Sequence, residues 1–317
     1  MKRLSFIAVA LCFTFASCES ELTEPLDEKN ITIETLSEEI PEPDISEPEV
    51  VAVHERSARV GPWSDIISEN FSSNSNIDDN WIRTHGRYDY NSDLCYYVRW
   101  SPRLETLDGR QCLRLAAWKN GNTYRSGHVK SRKKFYPRRN EDIWVGASIK
   151  LLAKDGAGYK GFNDTYGAWP AFWTVNEDPG VWPTQGEIDM MEGYSFGGSA
   201  RFARNLFYGT QTGNNLLDNR LERRYEVSEG WHTYSMLWRN RNGAVDCHIY
   251  LDGQWLGVYW SGSDNDLNME AFKDHNLILN LNIGDKHGIF NNSQINIFST
   301  MNMYVDWVSV RRRDNNL

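Results

Sequence analysis

Three carboxylates crowd into six residues of this chain: Glu187, Asp189 and Glu192, within WPTQGEIDMMEGY (residues 182–194). Isoleucine and methionine fill the gaps, so the acids sit inside an apolar run where their repulsion is costly. In a strand, residues i and i+2 share a face, which puts Glu187 and Asp189 on one side and Ile188 and Met190 on the other. Glu192 follows Glu187 by five positions and would point away from it in a regular strand. One extra residue at Met190–Met191, a β-bulge, restores the phase and turns all three acids to one side. The outer pair then has Cα atoms roughly 13 Å apart, and inward-leaning side chains bring the carboxyls to about 5–6 Å. That is the separation at which one carboxylate attacks an anomeric carbon while the other donates and recovers a proton. Asp189 between them can hold Glu187 by a hydrogen bond and keep the two pKa values apart.

Carboxylates two apart on a strand are ordinarily a solvated face, but such a face carries compensating cations. The segment 166–196 contains no Lys or Arg. It is rich in rings instead. Trp169 and Trp173 of AWPAFW, then Trp182 and Tyr194, are candidate platforms for stacking on sugar faces. Arg201 and Arg204, shortly after the acids, are candidates for an anionic sugar substituent, because a guanidinium grips oxyanions through two hydrogen bonds. Surface salt bridging is the alternative for both.

The elements that must position these residues read as strands. CLRLAAW (112–118), IWVGASIKLL (143–152), WHTYSMLW (231–238), VDCHIYLDG (245–253), LILNLNIG (277–284) and MYVDWVSV (303–310) are rich in β-branched and aromatic residues with period-two character. Asp252-Gly253 is a hairpin-turn signal. There is no repeat, phosphate-binding loop or dinucleotide fingerprint. Many short strands without alternating helices predict an all-β, two-sheet antiparallel sandwich of jelly-roll type, with a groove on its concave face. The chain has 317 residues, of which 13 Trp, 15 Tyr and 13 Phe supply a large core with rings to spare. Trp231 and Trp238 are expected to be structural. KSRKKFYPRR (130–139) is read as a solvated strand edge.

Three regions are expected: residues 1–18 as an export signal, 19–60 as a tether and 61–317 as the catalytic domain. Lys2 and Arg3 precede an apolar run too short to span a bilayer, and Ala16-Ser17-Cys18 resembles the lipobox of bacterial lipoproteins, with Cys18 acylated. Phe15 departs from the usual aliphatic residue there. The expected location is outside the cytoplasm, lipid-anchored to the outer membrane or cell surface of a Gram-negative bacterium. From Glu19 to Arg56, thirteen acids face two basic residues, with four prolines; such a stretch cannot bury enough apolar surface to order itself. It accounts for the net charge of −9 and leaves the remainder near neutrality, which argues against a nucleic-acid partner. A monomer is expected. Cys95, Cys112 and Cys247 lack zinc-site spacing and read as small buried residues.

The segment GEIDMME resembles the E-x-D-x-x-E signature of glycoside hydrolase family 16 in its bulged form. The resemblance runs from about Phe71 to Arg311, with PAFW, WHTYSMLW, YLDGQWLG and MYVDWVSV in the family's order. It implies a jelly roll and a retaining double displacement, with Glu187 as nucleophile, Asp189 as assisting acid and Glu192 as general acid/base. No cofactor is required for catalysis. The resemblance also implies a structural calcium on the convex face, at the position that Asp306 occupies.

The expected activity is that of a retaining endo-β-glycanase on a β-linked polysaccharide. AFWT with IDMMEGY is similar to agarases and porphyranases. ARFARNLFYGT (200–210) lacks a histidine common in the family's β-glucanases, and NIGDKHG (282–288) stands where those carry an apolar, Gly-rich segment. These features favour a red-algal galactan of the agar, porphyran or carrageenan class. An endo-β-1,3- or mixed-linkage glucanase is the alternative. A non-catalytic glycan-binding lipoprotein has little reason to keep both Glu187 and Glu192 at bulged spacing.

Overall fold

Period-two alternation becomes strand at every run named above. The computed structural model describes residues 60–72, 75–87, 94–156, 158–198, 201–286, 288–295 and 299–315. The predicted signal, with Cys18, and the tether up to residue 59 lie outside the described residues. In chain order the strands are β1 (Ser64–Glu69), β2 (Trp81–Arg83), β3 (Cys95–Tyr97), β4 (Arg103–Leu107), β5 (Arg110–Asn120), β6 (Thr123–Ser126), β7 (His128–Phe135), β8 (Glu141–Asp155) and β9 (Gly158–Gly161). They continue as β10 (Ala168–Val175), β11 (Glu187–Tyr194), β12 (Arg201–Phe207), β13 (Arg223–Glu226), β14 (Trp231–Arg241), β15 (Ala244–Leu251), β16 (Gln254–Trp260), β17 (His275–Ile283) and β18 (Thr300–Asp314). One helical turn, α1 (Ile77–Asn80), precedes β2.

Two sheets form the sandwich. The seven-stranded sheet runs β13-β12-β11-β10-β17-β7-β2, every neighbouring pair antiparallel. The eleven-stranded sheet runs β16-β15-β14-β8-β18-β5-β6-β3, with β1 on β18, β4 on β5 and β9 on β8. Its β3–β6 pair is parallel, a short departure from the all-antiparallel expectation. The hairpin turn expected at Asp252-Gly253 joins β15 to β16 with both residues at positive φ, 50° and 81°. That is the conformation Asp-Gly favours because it matches the strands' twist.

The core lies between the sheets. Phe172, Ile188, Leu206, Leu277, Leu279 and Leu281 reach it from the seven-stranded sheet; Val145, Met236, Trp238, Met303 and Val310 reach it from the other. Trp238 is completely buried. Trp231 is half-buried on the outside, its indole under Arg110 at 5.0 Å and bonded to Asp108. Cys95, Cys112 and Cys247 are free thiols, all buried. The KSRKKFYPRR run is not a sheet edge: β7 is bracketed by β17 and β2, and Lys130 and Lys134 form ion pairs with Glu177 and Asp178.

Candidate active site

The expected bulge is present. Against β10, Phe172 pairs with Met191 and Trp173 with Asp189; against β12, Asp189 pairs with Asn205 and Glu192 with Ala203. One residue of β11 is therefore surplus at Met190–Met191. Both methionines are fully buried in the core, while the acids on either side face outward from the seven-stranded sheet. Three cross-strand rows result. Glu187 lies in line with Phe207, Val175 and Asn276; Asp189 with Asn205, Trp173 and Ile278; Glu192 with Ala203, Ala171 and Asn280. Entry into β11 depends on Gly186, whose φ is +80° and whose missing Cβ would stand 2.2 Å from the ring of Phe272. Only glycine combines that conformation with so close an approach.

Each glutamate is held by a different tryptophan. The Trp182 indole donates to Glu187 Oε2 at 2.9 Å, and the Trp169 indole donates to Glu192 Oε1 at 3.1 Å. Glu187 is half-buried; Asp189 and Glu192 are 3% and 7% exposed. Asp189 Oδ2 and Glu192 Oε2 are buried without a hydrogen-bond partner. All three acids are pushed above their ordinary pKa values. For Glu187 the cause is burial first and the Glu192 charge second, opposed by the Trp182 N–H. For Asp189 it is burial and then both glutamates. For Glu192 it is burial and then Glu222, opposed by Trp169, Tyr194 and Arg224. The trio therefore holds protons well above the usual carboxylate range, as a proton donor working near neutrality requires.

The other expected residues divide by face. Trp169, Trp173 and Tyr194 lie on the acids' side of the sheet but are 8%, 8% and 2% exposed. Trp173 donates to Asn280 Oδ1 at 2.7 Å. They brace the acids more than they offer open platforms, and Trp182 is the most accessible of the four. Tyr166, Phe196 and Phe290 pack around Trp169 and Tyr194. Arg201 is exposed directly across from Tyr194. Arg204 belongs to the opposite face, which corrects the expectation that it meets substrate. Its guanidinium lies inside the sandwich, bonded to Tyr225 Oη (3.1 Å) and the Leu256 carbonyl (3.3 Å) and set 4.7 Å above the Tyr259 ring. Strand alternation dictates this, because Arg204 falls between Ala203 and Asn205.

Sequence reading missed Asn276, Asn280 and Asn282 of β17, all 5% exposed or less. The signal was present: asparagine alternates with leucine in LILNLNI, and a strand with leucines in the core must present its asparagines to the other side. It also missed Arg224, whose short strand had no apolar pattern to announce it, and Glu222 just before that strand. At Asp306, Oδ2 accepts from Arg110 Nη1 at 2.7 Å. Among the described residues no group of three or more His, Cys, Asp or Glu is arranged to hold a metal ion. The Asp306 carboxylate thus has a guanidinium partner in this structure.

Residues 161–204, which include the whole acidic strand, match the family model described as XgeA-like, catalytic GH16 domain. No curated protein matches the chain. Among solved structures it is similar to a Bacteroides ovatus GH16 protein of a mixed-linkage glucan locus in complex with a G4G4G3G product (22% identity, 77% of this chain and 99% of that one, TM-score 0.58). It is also similar to an endo-1,3-β-glucanase from Streptomyces sioyaensis (19%, 83% and 99%, TM-score 0.61). A third is a structure described under endo-acting O-glycanases of the human gut microbiota that initiate mucin breakdown (19%, 78% and 98%, TM-score 0.54). Such identities speak for a shared fold. The catalytic-domain match spans the bulged strand of three acids, so over residues 161–204 the chain is similar to glycoside hydrolase family 16, on a sandwich fold that it shares with these solved structures.

Proposed function

We propose that the chain is a retaining endo-β-glucanase that cleaves β-1,3- or mixed-linkage glucan by double displacement. The observation that carries this reading is the pair Glu187 and Glu192, turned to one face by the bulge and each fixed by an indole N–H. Glu187, the more accessible of the two, attacks the anomeric carbon. Glu192 gives its proton to the departing glycosidic oxygen and then takes one from the water that releases the glycosyl-enzyme. Asp189, kept neutral by burial, adds no third negative charge between them. Two features of the face support glucan over a sulfated galactan. Arg204 is withdrawn into the core, and the neutral Asn276, Asn280 and Asn282 line the strand beside β10. Of the two arginines expected to meet sulfate, Arg201 alone remains exposed. The glucan-linked structural relatives support the same choice.

The test is oligosaccharide release from laminarin, mixed-linkage glucan, agarose, porphyran, κ-carrageenan and mucin glycans by the domain from Ser57 onward, beside Glu187→Gln. Release from the glucans, abolished in the variant, is expected; release from a galactan alone would overturn the substrate reading. Binding of a polymer without release from any would point to a glycan-binding protein. The N-terminal sequence further supports export and acylation at Cys18. Incorporation of a labelled fatty acid that is lost in Cys18→Ser is the expected result.

A further inference from the structure

Beyond the two glutamates, the row through Glu192 continues across the sheet. Ala203 of β12 pairs with Glu192 on one side and with Arg224 of β13 on the other. Ala203 is fully buried and its side chain is a single methyl, so it leaves the space between the acid and the arginine unfilled by a larger group. The Arg224 guanidinium lies 5.2 Å over the ring of Tyr194, two residues after Glu192, and its Nε is bonded to the Glu222 carboxylate. Aromatic face and carboxylate together fix a flexible side chain in one orientation. Glu222 is itself largely covered, its side chain 16% exposed.

From this arrangement we infer that Arg224 and Glu222 form a charge pair that positions and sets the working protonation of Glu192, with Arg224 favouring the ionised acid and Glu222 the protonated one. The inference rests on Glu192 being the acid/base. The surroundings leave few competitors. On its own strand Glu192 faces Glu187, Asp189 and the Tyr194 phenol. From β10 it meets the uncharged Trp169 indole; from β12, the exposed Arg201 stands across from Tyr194; and β17 contributes the neutral Asn280 and Asn282. Arg224 is the cation that acts on Glu192 from β13, and Glu222 is the acid that acts from outside the catalytic strand. The reaction needs Glu192 to give a proton and take one back in a single turnover. A balanced pair of opposite charges tunes that exchange without a direct hydrogen bond that the acid would have to break.

The experiment is the pH profile of kcat/KM on a soluble glucan for wild type, Arg224→Met, Glu222→Gln, the double variant and Glu192→Ala, with thermal melts of each. Loss of Arg224 should move the alkaline limb upward, and loss of Glu222 should move it downward. About half a pH unit each way is expected for partly screened charges across one intervening strand. The double variant should return near wild type, with KM little changed throughout. A merely structural pair would lower the melting temperature and leave the limb in place. Unmoved limbs in both single variants, or shifts in the same direction, would overturn the inference. If Glu192→Ala itself kept the wild-type alkaline limb, the assignment of the acid/base would be at fault.

Discussion

Two indole N–H groups act at the same scale with opposite consequences. The bond from Trp182 favours ionised Glu187, the attacking form in the proposed mechanism; the bond from Trp169 favours ionised Glu192, the form that cannot donate in that mechanism. Trp182→Phe should therefore raise Glu187 further and move the acid limb of the pH profile upward, while Trp169→Phe should move the alkaline limb upward. A hydrogen bond to a charged group contributes about 1.5–3 kcal/mol, so Trp182→Phe should lower kcat/KM roughly tenfold below the optimum. Trp169→Phe should lose less, and mainly through looser placement of the acid. Glu192→Ala should cost about 10²–10⁴ on polysaccharide but far less on an aryl glycoside whose leaving group needs no proton. Equal losses on both substrates would show that Glu192 does not serve as the acid.

The bulge is a property of the element and gives a test that no side-chain substitution can. Removing Met191 would leave Glu187 and Glu192 four residues apart, the spacing at which a regular strand presents both on one face. The deletion variant should thus keep measurable hydrolysis. It should also lose about 2–5 kcal/mol of stability, because a fully buried methionine is taken from the core. Adding a residue beside Met191 should instead leave the two glutamates six positions apart, on one face but roughly 7 Å farther along the strand than in the deletion variant, and abolish activity; guanidinium melts and assays of the two variants decide the matter. This element was legible because an acid-x-acid pattern with apolar partners admits one phase, and the third acid demanded the extra residue. The sandwich was legible for the same reason, as alternation in runs such as MYVDWVSV leaves one face for the core. The fate of Arg204 was not read correctly, although the same alternation determines it. A guanidinium satisfied by Tyr225, Tyr259 and a backbone carbonyl across the sheets has no signature within its own strand. Arg224 was illegible for a related reason, since its partners Glu222 and Tyr194 are assembled by register and not by sequence spacing.

At the scale of the molecule, the site opposes the fold that holds it. The three acids of β11 prefer to be protonated in the folded state, so their contribution to stability is full below the ordinary carboxylate range and is lost as pH rises through it toward their raised values. His128 and His275 act the other way. Burial lowers both to about 4, so the fold prefers them neutral, and stability is lost as pH falls below the usual imidazole value. Between those limits the two sets offset each other, and the wild-type melting temperature should vary little across mildly acidic pH. Replacing one acid by its amide isolates the site's share, because the histidines are untouched. Asp189→Asn is the cleanest choice, since Asp189 is the middle acid and its Oδ2 is buried without a partner. The variant should be more stable than wild type by about 1 kcal/mol, which is roughly 2–4 °C for a domain of this size, and the difference should widen from pH 5 to pH 8. Activity should fall in the same variant, because an amide at the middle position cannot exchange a proton beside the two glutamates. A gain that shrank as pH rose would mean that Asp189 is ionised in the folded protein and that the charge crowding at β11 is relieved by another group.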